Sequence, residues 1–208
     1  MTFVYFHGSF GSPDENWVGY LERELNELGH HLLRPRFPAD DWDRITTAGQ
    51  ATPPQRQSLH SWMRSFDEFY ETELKNHARE PMVFIGHSLG PVFILHVLEK
   101  YQLKIDAAFF VAPFLSALAT KWQFDHVNYS FYKTDFDFAN LRELITKSYV
   151  VYGHDDPYVP QTRFFEFADK MGSAMIEVKG GKHLSKSGGF TEFPLLLELC
   201  KTRIFGAK

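Results

Sequence analysis

Residues 82–101 constrain the fold more than any other stretch of the chain. Met82-Val83-Phe84-Ile85 is apolar on four consecutive positions, the pattern of a strand covered on both faces. Gly86-His87-Ser88-Leu89-Gly90 follows. Val92, Phe93, Ile94, Leu95, Val97 and Leu98 then make Leu89–Tyr101 a helix that is apolar almost all round, and so largely buried. A buried strand that enters a buried helix through one tight turn is a βα unit and belongs in a parallel sheet. Glycines at 86 and 90 suit such a turn, because without a Cβ the strand and helix can approach it closely.

The rest of the chain repeats this alternation. Further strands are expected at Thr2–His7, His31–Phe37, Ala107–Val111, Tyr149–Tyr152 and Ala174–Val178, and with Met82–Gly86 they make about six. Helices are expected at Trp17–Leu28, Gln55–Lys75, Phe138–Ile145, Gln161–Met171 and Glu192–Ile204, with Trp17, Leu21, Leu25 and Leu28 forming the apolar stripe of the first. The expected fold is therefore α/β: a three-layer αβα sandwich around a mostly parallel, doubly wound sheet. A length of 208 residues favours one domain over 1–208. Two stretches lack a period. Pro38–Pro54 is polar and reads as a surface loop, and Phe114–Asp137 is crowded with aromatics. Long irregular segments of this kind are often binding loops or lids.

Composition excludes several classes. A formal net charge of -4 gives no general attraction to nucleic acid or to an anionic membrane. No apolar run approaches the roughly 20 residues of a membrane span. The chain opens directly into Thr2-Phe3-Val4-Tyr5-Phe6 without a preceding basic segment, so no export signal is expected. Cys200 is the one cysteine, which rules out an intrachain disulfide and, with the missing export signal, points to the cytoplasm. Neither an H-E-x-x-H motif nor a Cys/His cluster is present, so neither metal nor cofactor is expected.

The turn at 86–90 also carries chemistry. Gly-x-Ser-x-Gly between strand and helix projects a serine hydroxyl from a strained turn, while the N-terminus of the following helix points free N–H groups at it. Ser88 is the expected nucleophile and Leu89 N–H one donor to an oxyanion. A serine nucleophile needs a base, and the base needs an orienting carboxylate. Both occur in order. Strand 149–152 runs into Gly153-His154-Asp155-Asp156-Pro157, and strand 174–178 into Gly180-Gly181-Lys182-His183. His183 is the expected base. Asp156 is preferred over Asp155 as the carboxylate, because it lies three residues after Gly153 and directly before Pro157. The second oxyanion donor is expected in His7-Gly8-Ser9-Phe10-Gly11-Ser12, from Ser9 N–H or, second, Phe10 N–H. Trp122 and the aromatics around it are expected to wall an apolar pocket.

Taken together, His7-Gly8 with Trp17 and Leu21, the Pro-containing stretch leading to Trp62, Gly86–Gly90, Asp155-Asp156-Pro157 with Val159-Pro160, and Gly181-Lys182-His183-Leu184 resemble the α/β-hydrolase superfamily. Within it, the chain is similar to the retinoblastoma-binding protein nine-like serine esterases and their bacterial relatives over nearly its whole length. The resemblance implies a hydrolase without a separate cap domain, with a triad of Ser88, Asp156 and His183 acting on a small-molecule acyl substrate. A non-catalytic binding module on the same fold is the competing reading.

Overall fold

The computed structural model describes residues 1–205; the last three residues of the expected 1–208 unit lie outside the described residues. Six strands, β1 (Thr2–Phe6), β2 (His31–Leu33), β3 (Met82–His87), β4 (Ile105–Val111), β5 (Ile145–Gly153) and β6 (Ala174–Val178), form one sheet in the order β2-β1-β3-β4-β5-β6. Every neighbouring pair is parallel. The helices are α1 (Val18–Glu27), α2 (Trp42–Ala48), α3 (Leu59–Thr72), α4 (Gly90–Tyr101), α5 (Trp122–Asn128), α6 (Phe138–Leu144), α7 (Gln161–Met171) and α8 (Pro194–Leu199).

Strand alternation divides the core into two layers. Phe3, Tyr5, Val83, Ile85, Phe109 and Val111 point to one face, where they meet Leu21 and Leu25 of α1 and Leu196 and Leu197 of α8. Val4, Phe6, Phe84, Phe110 and Val150 point to the other, against Trp62 and Phe66 of α3, most of α4, and Phe164 and Phe167 of α7. Both faces are covered, as a parallel sheet requires. No separate cap domain stands over the sheet among the described residues. No described helix is long and apolar enough to cross a membrane.

Element boundaries differ from the expected ones for identifiable reasons. β2 ends at Leu33 rather than Phe37, because Pro35 has no N–H to give to a ladder. α3 starts at Leu59 rather than Gln55. Ser58 and Ser61 form a capping box there, and the N–H groups of Gln55, Arg56 and Gln57 donate instead to the Asp40 carboxylate. α8 is short and continues as a π turn over Cys200–Phe205. Leu28 leaves the buried stripe of α1 and is 44% exposed. The stretch read as a surface loop contains α2, capped by Asp41 through Arg44 N–H at 2.8 Å and ended by Gly49 at φ 75°.

The sheet order fixes where a site can form. From β1 the chain winds outward to β2, and from β3 it winds the opposite way to β4. Loops leaving the carboxyl ends of β1 and β3 therefore part, which leaves a crevice between them. Pairing of Phe6 with Gly86 sets the residues just beyond, Gly8 and Ser88, side by side at its floor.

Candidate active site

Ser88 occupies the turn between β3 and α4 with φ 60°, a left-handed conformation uncommon for a side-chain-bearing residue. Its N–H donates to Val111 O at 2.8 Å, which holds the turn against the end of β4. The flanking glycines are compulsory. A Cβ on Gly86 would lie 2.6 Å from Pro91 N, and one on Gly90 only 2.2 Å from Phe6 O. Gly8 presses on the serine itself, since a Cβ there would stand 2.9 Å from Ser88 Cβ.

His183 arrives on the loop after β6, and this loop is fastened from Gly181 to Leu184. Gly153 lets it come down onto the end of β5, where a Cβ would sit 1.9 Å from Lys182 O. Lys182 N–H donates to Asp155 Oδ1 at 2.8 Å. His183 O accepts from His87 Nε2 at 2.9 Å, and Leu184 O accepts from Trp17 Nε1, also at 2.9 Å. Lys182 and Leu184 flank the histidine at φ 47° and 51°, strain that the surrounding bonds hold in place.

The two adjacent acids divide their contacts. Asp156 Oδ2 accepts from His183 Nδ1 at 2.7 Å, and Oδ1 accepts from Tyr158 N–H and Val159 N–H at 2.8 and 3.0 Å. Its side chain is fully buried. Because a carboxylate accepts, Nδ1 of His183 carries the proton and Nε2 is left with a free lone pair when the ring is neutral. Asp155 instead shapes the loop through Lys182.

Ser88 and His183 line one cavity of about 220 Å³. No hydrogen bond links Ser88 Oγ to the ring among the described residues, a common state of such pairs before substrate binds. Phe10, Trp42, Phe124 and Tyr158 form its aromatic side, and Ser9, Glu15, Asn16 and Ser185 part of its polar side. Phe10, Trp42 and Phe124 pack on one another with centroids 5.2 to 5.8 Å apart. Trp122 does not line the cavity; its ring packs on His126 one turn away on α5. The expectation for Trp122 thus fails, while its neighbour Phe124 fills that place. Trp42 was not anticipated, because it is a lone apolar residue among Asp40, Asp41 and Asp43.

The loop after β1 is equally ordered. Gly8 O accepts from His7 Nδ1 at 2.9 Å and from Gly11 N–H at 3.3 Å. Across a trans peptide the next N–H points the opposite way, so Ser9 N–H faces away from His7. Phe10 N–H is committed to Gln57 Oε1 at 3.1 Å, which removes it as a free donor. Neither Ser9 N–H nor Leu89 N–H donates within the protein among the described residues.

His7 and His87 are buried and neutral. Burial holds His87 down at about 3, helped by the nearby His183, and holds His7 at about 4. In the unfolded chain each takes up a proton near pH 6.5. Below that value the unfolded state binds protons that the folded state refuses, so stability falls with acidification until the folded values are reached. Each histidine is expected to cost on the order of 2 kcal/mol between pH 7 and pH 5. For a chain of this size the two together lower the thermal midpoint by roughly 10 °C. Calorimetry at the two pH values checks this, and an unchanged midpoint contradicts it.

Comparison with known proteins gives the fold and the family. YdeN of Bacillus subtilis (strain 168) is 26% identical over 195 residues, covering 93% of this chain and 90% of that protein. Serine hydrolase RBBP9 of Rattus norvegicus is 24% identical over 200 residues, covering 90% and 86%. The crystal structure of the B. subtilis ydeN gene product superposes with a TM-score of 0.78 at 22% identity, over 97% of both chains. Alpha/beta hydrolase domain-containing protein 10 from mouse does so with a TM-score of 0.63 at 15% identity, over 100% of this chain and 90% of that one. These likenesses give the α/β-hydrolase fold. The sequence profile of the serine hydrolase family matches residues 3–202, nearly the whole chain, and the chain belongs to that family.

Proposed function

We propose that this chain is a serine esterase that cleaves small acyl esters through an acyl-enzyme intermediate, with residues 1–208 acting as one α/β-hydrolase domain in the cytoplasm. Ser88 Oγ attacks the ester carbonyl carbon as its proton passes to His183 Nε2. Asp156 holds the ring in the tautomer that leaves Nε2 free and stabilises the imidazolium that forms. The carbonyl oxygen becomes an oxyanion, bound by the N–H groups of Ser9 and Leu89. Collapse expels the alcohol, which takes the proton from His183. Water then repeats the sequence on the acyl-enzyme, releasing the acid and restoring Ser88. No cofactor or metal enters these steps.

One observation carries the reading: His183, held by Asp156 at 2.7 Å, lines the same cavity as the strained Ser88 turn. The aromatic side built by Phe10, Trp42, Phe124 and Tyr158 supports an apolar acyl or leaving group. At about 220 Å³ the cavity is smaller than the roughly 300–1,000 Å³ typical of drug-sized ligand sites, which favours a short chain.

Fluorophosphonate labelling tests the proposal. The probe is expected to add once, at Ser88 by peptide mapping, and p-nitrophenyl acetate and butyrate are expected to turn over faster than the decanoate. Folded protein that neither labels nor turns over any ester would make the fold a non-catalytic binding module instead.

A further inference from the structure

The approach to α3 and the end of α5 meet the loop after β1 through two buried amides. Ser9 Oγ donates to Asn128 Oδ1 at 2.7 Å, and Gln57 Nε2 donates to the same oxygen at 2.8 Å. Gln57 Oε1 accepts Phe10 N–H at 3.1 Å, and Gln57 N–H runs back to Asp40 Oδ2 at 2.9 Å. Asn128 closes α5 and is 0% exposed; Gln57 precedes α3 and is 2% exposed. Both residues adjoining the Ser9–Phe10 peptide are thus tied down by side chains more than 45 positions away.

This arrangement is costly. Two side-chain amides are taken out of water to build it, and burying an amide costs free energy that its hydrogen bonds must offset. A buried amide network that converges from two distant segments on one loop calls for an explanation beyond packing.

We propose that Gln57 and Asn128 are positioning residues for oxyanion stabilisation, an inference that rests on the serine esterase reading above. Gln57 takes Phe10 N–H out of use, and Asn128 holds the Ser9 hydroxyl. The loop is left one orientation, in which Ser9 N–H is the free donor. Neither amide touches substrate. A loop freed of them samples orientations that bind the ground-state ester equally well but miss the developing oxyanion, so the loss appears in kcat rather than KM.

The test is a double-mutant cycle on the full chain with p-nitrophenyl acetate. Ser9→Ala removes only a hydroxyl from a partly exposed residue and guards against misfolding of Asn128→Ala. Each is expected to lower kcat about tenfold or more with KM within about twofold, and the double variant to lose no more than Asn128→Ala alone, since that change already cuts the Ser9–Asn128 bond. Binding of a methyl trifluoromethyl ketone, which forms a tetrahedral oxyanion on the serine, is expected to weaken by the factor lost in kcat. Gln57→Leu is expected to follow the same pattern. Variants that lose thermal stability but keep kcat within twofold overturn the proposal, as do losses that fall on KM or simply add. An inert wild type that binds no ketone overturns the esterase reading, and this inference with it. An active wild type with fully active variants overturns the inference alone.

Discussion

Replacing Ser88 with alanine is expected to lower kcat/KM on p-nitrophenyl acetate by on the order of 10⁴–10⁶, about 5–8 kcal/mol of transition-state stabilisation. The fold is expected to survive. Ser88 Oγ makes no hydrogen bond among the described residues, and the turn is held by backbone through Val111 O and by the glycines around it. Alanine meets the same backbone cost as serine at φ 60°. Circular dichroism and the thermal midpoint are therefore expected to match the wild type while turnover and fluorophosphonate labelling vanish. Turnover by the variant at more than a hundredth of the wild-type rate would mean that another group performs the attack.

Asp156→Asn is expected to lower kcat by on the order of 10³–10⁴. The structure dictates how. Asp156 Oδ1 accepts Tyr158 N–H and Val159 N–H, so an asparagine must keep its carbonyl oxygen there. Its NH₂ then takes the place of Oδ2 and donates to His183 Nδ1, which drives the ring proton to Nε2. An imidazole with a protonated Nε2 cannot receive the proton of Ser88. Asp155→Asn provides the contrast. It keeps an acceptor for Lys182 N–H, and kcat is expected to stay within about threefold. Steady-state kinetics on the two variants decide the matter; equal losses in both would mean that the carboxylate works through loop shape alone.

The sheet and the positions of the candidate site residues are legible in the sequence because backbone geometry restricts them. Gly86 and Gly90 are required by the approach of Pro91 N and Phe6 O, so the motif and the turn are the same physical fact. His183 is legible because it follows a strand and two constrained glycines, Gly180 at φ 65° and Gly181 where a Cβ would lie 2.9 Å from Val178 O. The choice between Asp155 and Asp156 rested on spacing and on Pro157. Neighbouring acids in one turn differ mainly in direction, and the contact with His183 emerges only when β5 and β6 are paired.

The cavity wall was harder to read. α2 and α5 have seven residues each, too few for a helical period to stand out over an 11–18-residue window. Trp42 and Phe124 become neighbours only through tertiary contact between those helices. Asp40 looked like one more surface charge in an acidic run. It is 3% exposed and organises the entrance to α3 by accepting three backbone N–H groups beside Arg44. Long-range hydrogen bonding of this kind leaves no periodic trace.

Because Trp42 and Phe124 ride on short helices outside the β-ladder, natural drift or a designed library can vary them while the strand ends keep their register. On the proposed esterase activity, swapping these walls is a route to retuning which esters are accepted while Ser88, His183 and Asp156 stay in place. Asn128 sets the limit on such grafts: it belongs to the same helix as Phe124, so a transplanted α5 that fails to carry an equivalent amide would gain a new appetite and lose its turnover.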